Sequence, residues 1–241
     1  MMPLLQEQAA AWGVTLDARQ MAQFGRLRDL LIDWNSRFNL TRIVDPQEIV
    51  VRHFLDSLSL VLVTGDLNGR SLIDVGTGAG FPGLPLKIAF PDLRVTLTDS
   101  VAKKVRFVAH AIEALGLGQA QAVAERVEVL GQMVQHRGQY DWAVARAVAP
   151  LAVLGEYLLP LVRPGGGMVA HKGPEAATEL AEAAEALRMA GGGVATLHPV
   201  ALPGHPVPFH LVHCPKVAPT PAALPRRPGI PLRRPLTGRA G

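Results

Sequence analysis

The stretch SLIDVGTGAGFPGLPL, from Ser71 to Leu86, constrains this chain more than any other. Apolar and β-prone residues run into an acid, Asp74, and glycine then stands at every second position, Gly76, Gly78 and Gly80, just ahead of Pro82. A strand-like run, a glycine turn and a helical apolar pattern in that order begin an open α/β sheet. Ligands of such sheets sit beyond the carboxyl end of the first strand. Glycines there let the backbone approach closely and adopt φ values that side chains disfavour. Two phosphate-binding readings fail on spacing. A dinucleotide loop needs its third glycine where Phe81 stands, and no Lys-Ser or Lys-Thr follows to make a kinase-type loop.

The acid points elsewhere. Asp74 at a strand end opposes pyrophosphate but suits a ligand that carries an ammonium and a sulfonium group. The next strand, LRVTLTDS, ends in Asp99, where a carboxylate accepts the hydroxyls of a ribose. Together these predict an S-adenosylmethionine (SAM) site, with the glycine loop under the methionine part and Asp99 at the ribose.

Strand patterns fall at 71–75, 93–98, 120–124, 140–145, 166–171, 194–200 and 208–214, and helical patterns at 82–90, 101–115, 126–134, 150–161 and 174–189. This alternation predicts a Rossmann-like α/β fold, a seven-stranded and mostly parallel sheet with an antiparallel last strand. Before it, residues 1–65 form a helical extension, with Met21, Phe24, Leu27, Leu31 and Trp34 at helical spacing. Residues 66–215 are the cofactor-binding domain and 216–241 a basic tail rich in Pro and Arg, expected to run extended over a surface or to be mobile. That tail holds five arginines, one lysine and no acid, which leaves the body slightly acidic within a net charge of +4. An anionic partner at one end fits this asymmetry.

At 241 residues and 49% hydrophobic content the chain can bury one sizeable core. No apolar run reaches membrane-spanning length, and MMPLLQEQAAAWG lacks a basic flank and a long apolar core, so a cytoplasmic protein is expected. Cys214 is the single cysteine, which removes intrachain disulfides and cysteine-rich zinc sites; no metal is expected.

The motifs RHFLDSL (52–58), DVGTGAGFPGLPL (74–86), TDSVAKKVRFV (98–108), ERVE (125–128), ARAVAPL (145–151), HKG (171–173) and PRRPGIPLRRPL (225–236) follow one another in this order. As a set they closely resemble the small-subunit (16S) ribosomal RNA guanine-N7 methyltransferase family, also called glucose-inhibited division protein B. The resemblance runs from about Trp34 to Leu236. It implies a class I SAM-dependent methyltransferase fold and methylation of N7 of one guanine in small-subunit ribosomal RNA; a monomer acting on small-subunit ribosomal RNA or on an assembling small subunit is expected. It also implies cofactor contacts at Gly76 and Phe81, at Val127 and Glu128, and at Arg146, with the segment Asp99, Ser100 and Val101 added in some members. Phe81 replaces a Leu of some members, and Val127-Glu128 stands where others have Ala-Glu.

Other residues are read locally. The carboxylate of Glu128 would accept the exocyclic amine of adenine, or act as a charge at a helix start. Arg146, after the fourth strand, would clamp the methionine carboxylate or an RNA phosphate. His53, Asp56 and Ser57 share a helix face, and close over the cofactor or target base or else fix the amino-terminal helices to the sheet. Asn39 and Thr41 read as capping and turn residues. Lys172 and the pairs Arg226-Arg227 and Arg233-Arg234 are candidates for RNA phosphates.

Guanine N7 has an in-plane lone pair and no proton to lose, so no general base is required. His53, Asp56 and Arg146 are therefore positioning candidates for an in-line transfer, and no residue is assigned as catalytic. Cytosine-C5 methylation needs a cysteine nucleophile, and Cys214 lies at the last strand, far from the crevice. Adenine-amine methylation calls for an Asn/Asp-Pro-Pro-aromatic turn that ARAVAP lacks. A non-catalytic SAM-sensing RNA-binding module, a methyltransferase for another RNA and a nicotinamide dehydrogenase are the rival readings.

Overall fold

The computed structural model describes residues 2–146, 148–205 and 207–237; Met1, Ala147, Pro206 and the tail's last positions, 238–241, lie outside the described residues. Two helices open the chain, α1 (Met2–Ala11) and α2 (Ala18–Phe38). Next, α3 (Pro46–Ile49) runs through a π-helical stretch, Val50–Leu55, into α4 (Asp56–Leu58), and α5 (Val61–Thr64) follows. The alternating part is β1 (Ser71–Val75), α6 (Gly83–Ala89), β2 (Arg94–Thr98), α7 (Ala102–Ala114), β3 (Ala120–Val123), α8 (Val127–Leu130), β4 (Tyr140–Arg146), α9 (Leu151–Leu158), β5 (Val162–Lys172), α10 (Ala176–Met189), β6 (Thr196–Val200) and β7 (Phe209–Pro215). A last turn, α11 (Ile230–Arg233), lies in the tail.

The sheet order is β3-β2-β1-β4-β5-β7-β6. Neighbours from β3 through β5 are parallel, while β7 inserts between β5 and β6 and is antiparallel to both. The expected fold class therefore holds. Strand order reverses between β1 and β4, which places the crevice at the carboxyl ends of those strands. Among the described residues no helix is long and apolar enough to cross a membrane.

The amino-terminal helices share a core with one face of the sheet. Phe24, Leu27 and Leu31 of α2 are fully buried in one cluster with Leu84 and Leu86 of α6 and Phe107 of α7, and Phe24 meets Phe54 with ring centroids 5.1 Å apart. Gln20 makes the junction polar as well as apolar. Its Oε1 accepts from the amide of Asp17 at 2.8 Å, closing a capping box, and its Nε2 donates to the carbonyls of Ile88 and Ala89 at 2.9 and 3.0 Å. One side chain thus completes the start of α2 and the otherwise unpaired end of α6. The opposite face packs on α9 and α10 through a second cluster around Ile73, Leu154, Leu158 and Leu187.

One expectation is corrected. The helix expected over 126–134 is a single turn ending at Leu130, because the tail packs where it would continue: a Cβ on Gly131 would lie 2.7 Å from Cγ of Pro225. The described tail follows the first of its two expected courses, over the surface of the domain. Arg137 donates to the carbonyls of Thr220, Pro221 and Leu224, Gln132 to that of Pro225, and the amide of Gly229 donates to Glu128 Oε1 at 2.9 Å. Arg226 grips Glu156 of α9 through its guanidinium and its amide, and Glu156 is 0% exposed. Leu224 and Pro231 are buried, whereas Ile230 and Leu232 stay at the surface. No apolar period announces such docking, since polar anchors and prolines carry it.

Replacing Arg226 by Ala strands a buried carboxylate with only one amide donor, and should lower unfolding free energy by about 2–3 kcal/mol. Arg227→Ala, at an exposed position, should stay within about 0.5 kcal/mol. Urea unfolding midpoints of the two variants check this.

Candidate active site

A cleft of about 1570 Å³ opens at the carboxyl ends of β1, β4 and β5. Its floor is the glycine loop with Phe81 and Arg146. One wall is the amino-terminal extension from Asn39 to Asp56, and the other runs from His171 through Leu202 to Phe209.

Gly76 has φ 67°, and a Cβ there would lie 2.6 Å from Cγ2 of Val148, so only glycine fits. Beneath the loop, Asp74 is completely buried. Its Oδ2 accepts from the Thr77 hydroxyl at 2.6 Å and the Gly83 amide at 2.8 Å, while Oδ1 has no partner. Burial raises its pKa to about 6 against those two hydrogen bonds. Asp99, nearly buried at the end of β2, accepts from the amides of Gly78 at 3.1 Å and Val101 at 2.9 Å, with Lys104 Nζ at 3.5 Å. It ties the loop to the start of α7. Ser100 and Val101 are exposed beside it.

Where the dinucleotide pattern would have its third glycine, Phe81 forms a wall. Its ring stacks on His53 with centroids 4.3 Å apart and planes 7° from parallel, and the Arg146 guanidinium lies over it at 5.5 Å. Arg146 donates to Asp56 Oδ2 at 2.6 Å, to the Arg52 carbonyl at 3.0 Å and to His53 Nδ1 at 3.1 Å. Because Nδ1 accepts, the ring proton sits on Nε2 and is donated to Thr41 Oγ1 at 3.1 Å. Burial and the adjacent Arg146 depress the pKa of His53 to about 3, so the imidazole is neutral at physiological pH. A π-helical turn carries Arg52 and His53, a backbone form frequent at functional sites. The expected closeness of His53 and Asp56 is observed, joined through Arg146; Ser57 is buried and donates to the His53 carbonyl at 2.5 Å.

Several sequence-derived candidates have partners within the fold. Oε1 of Glu128 accepts from the Tyr157 hydroxyl and the Gly229 amide, so this oxygen fastens the tail, while Oε2 takes no part in either bond. Val127 beside it is buried. Lys172 lines the cleft, but its Nζ donates to the Ala149 carbonyl at 2.7 Å and Glu179 Oε1 at 2.8 Å, bracing the loop after β4. Arg226 is committed to Glu156. Arg227, Arg233 and Arg234 are exposed. Asn39 caps α2 in the left-handed region at φ 49°, as its capping role requires.

Sequence reasoning missed His171, which donates through Nε2 to the Asp56 carbonyl at 3.1 Å and keeps Nδ1 buried without a partner. Its signal was its place at a strand end one residue before Lys172. Burial lowers its pKa as well. Arg42 and Lys104, on the rim, were also missed. Cys214 lies inside β7, buried, with burial pushing its thiol up to about 11. Among the described residues no cluster of His, Cys, Asp and Glu is placed to hold a metal.

Comparisons with known proteins agree with this geometry. The family model described as "GidB: rRNA small subunit methyltransferase G" matches residues 20–203. The ribosomal RNA small subunit methyltransferase G of Roseiflexus sp. (strain RS-1) is 51% identical over 98% of this chain and 100% of its own. The protein of the same name from Chloroflexus aggregans is 49% identical over 97% of each chain. Among solved structures, a SAM-dependent O-methyltransferase from Thermotoga maritima superposes with a TM-score of 0.53 at 14% identity, covering 79% of this chain and 72% of that one. A variant of the 16S rRNA (adenine(1408)-N(1))-methyltransferase of Catenulisporales acidiphilia, solved with cosubstrate SAM, gives 0.51 at 18% identity over 64% and 88%. These two likenesses establish the class I methyltransferase fold.

The depressed pKa of His53 has a sign. Between pH 6.5, the ordinary value, and about 3, the unfolded chain binds a proton that the folded ring refuses, so stability falls as pH drops through that window and is unaffected above it. Asp74, with its raised pKa, opposes this trend in any variant that retains it. His53→Gln should therefore flatten the acid limb of melting temperature against pH relative to the parent; parallel limbs would show that the buried ring takes up its proton normally.

Proposed function

This chain belongs to the ribosomal RNA small subunit methyltransferase G family, and on that premise we propose that it methylates N7 of a guanine in small-subunit ribosomal RNA. It is a SAM-dependent methyltransferase of ribosomal RNA; the base, the atom and the in-line course are the proposal. The supporting observation is a cleft built for alignment whose two buried histidines are both engaged in hydrogen bonds. His53 and His171 are neutral, buried and hydrogen-bonded, and the one thiol is buried in β7. A reaction at a nitrogen with a free lone pair requires nothing more, whereas cytosine-C5 chemistry requires a thiolate.

The residues present fit SAM. Gly76 and Gly78 offer bare backbone, Asp74 keeps a carboxylate oxygen without a partner next to the loop, and Asp99 stands at the adjoining strand end. When bound, the cofactor supplies a methyl group on a sulfonium centre. Asp74 and Asp99 place carboxylates beside the glycine loop, and Phe81 with His53 supplies a flat apolar wall against which a ligand is oriented. Orientation of this kind accounts for much of such a barrier. As the methyl group transfers, positive charge develops on the base, and a bare cation facing it would oppose the reaction. Asp56 neutralises Arg146, the nearest guanidinium on the floor. Arg227, Arg233 and Arg234 remain as tail contacts for RNA phosphates.

Mapping modified nucleosides in ribosomal RNA from cells with and without the protein tests the proposal; loss of a single 7-methylguanosine is the expected result. Single-turnover rates should stay nearly flat from about pH 6 to pH 8, where a catalytic histidine would titrate. Asp99→Ala should weaken SAM binding by about 1.5–3 kcal/mol, read by calorimetry, through loss of a charge-assisted acceptor.

A further inference from the structure

The end of α2 and the outer face of α7 form a surface that the cleft does not use. Trp34 and Phe38 lie one turn apart with ring centroids at 5.3 Å, and His110 of α7 meets Trp34 at 5.2 Å. Phe107 roots Trp34 in the core at 5.5 Å. Phe38 is 38% exposed, an unusual place for a phenyl ring beside charged residues. Arg37 lies over the Trp34 ring at 5.9 Å, and Lys103 reaches the Phe38 carbonyl at 3.3 Å.

Lys103, Arg106 and His110 stand at i, i+3 and i+7, so they share one face of α7, and all three are exposed. Because Lys103 and His110 both touch the end of α2, Arg106 stands between them on the same surface. The only acid on the last turns of α2, Asp33, is neutralised by Arg37. Asp45 is occupied in capping α3. Glu113, exposed one turn beyond His110, is the one acid on this face of α7, at the end away from the cleft; Lys103 and Arg106 leave the part next to α2 cationic, with aromatic rings set among the charges. This part runs without a break into the rim of the cleft through Asn39, Arg42 and Lys104, which line it.

Aromatic faces in a positive groove are the means by which proteins hold single-stranded nucleic acid. Bases stack on the rings while lysine and arginine track the phosphates. We propose that this α2–α7 surface binds the unpaired RNA strand flanking the target base, with Phe38 as the stacking ring and Lys103, Arg106 and Arg42 as phosphate contacts. The inference rests on the ribosomal RNA substrate proposed above. It assigns these residues to substrate capture, with no part in cofactor binding or methyl transfer.

The test uses the full chain, SAM and isolated small-subunit ribosomal RNA. Phe38→Ala should raise KM for RNA about tenfold, the loss of one stacked base, and Phe38→Tyr should restore it. In Lys103→Gln/Arg106→Gln the slope of log affinity against log salt should flatten by about 0.7 for each lost phosphate contact. In every variant kcat and SAM affinity should match the parent. Unchanged KM and unchanged salt slope in variants that still methylate RNA would overturn the inference alone. A parent protein that binds SAM and methylates no RNA would overturn the proposed function, and this surface's role with it.

Discussion

The bond between Arg146 and Asp56 joins the two halves of the site. Arg146 ends a sheet strand, and Asp56 belongs to a helical segment more than eighty residues earlier. The same guanidinium holds the Arg52 carbonyl and His53 Nδ1, so a single planar cation fixes the backbone, an acid and an aromatic ring of the extension at once. Five fixed donors make arginine suited to such a junction, where lysine would be a point charge. Without it, the cleft would lose the register between its floor and one wall.

Around that junction the molecule tolerates buried acids, each on different terms. Glu156 has a guanidinium and an amide, and Asp99 has two amides and a lysine nearby. Asp74 has two donors for one oxygen and none for the other, and its raised pKa records the shortfall. The one buried acid with an unsatisfied oxygen, among the described residues, is the one beneath the glycine loop. This is the pattern expected of a site that gives up stability for function.

What the sequence revealed was local. Strands β1 and β2 were legible because apolar runs ending in Asp or Gly punctuation carry their own signal, and the glycine loop because its spacing excludes phosphate-binding alternatives. The partners that Glu128, Lys172 and Arg226 find in the fold were not legible for the opposite reason. They lie 101, 23 and 70 residues away respectively, at Gly229, Ala149 and Glu156. Nothing in the neighbourhood of a charged residue reveals which distant amide or carboxylate it will meet. The tail was opaque for the same reason, since prolines and single polar anchors leave no period. His171 was hidden because a histidine at a strand end looks alike whether it faces solvent or the interior.

The grip of Arg226 on Glu156 also sets an order of events. Glu156 is synthesised 70 residues before its partner, a lag of roughly 4–14 seconds at ordinary rates of translation. During that interval its carboxylate has neither guanidinium nor amide, and α9 lacks the cover that later seals it. The strap that carries Arg226 is synthesised after every strand of the sheet and covers the layer from outside. Closure of the fold is a late event in the life of each nascent chain.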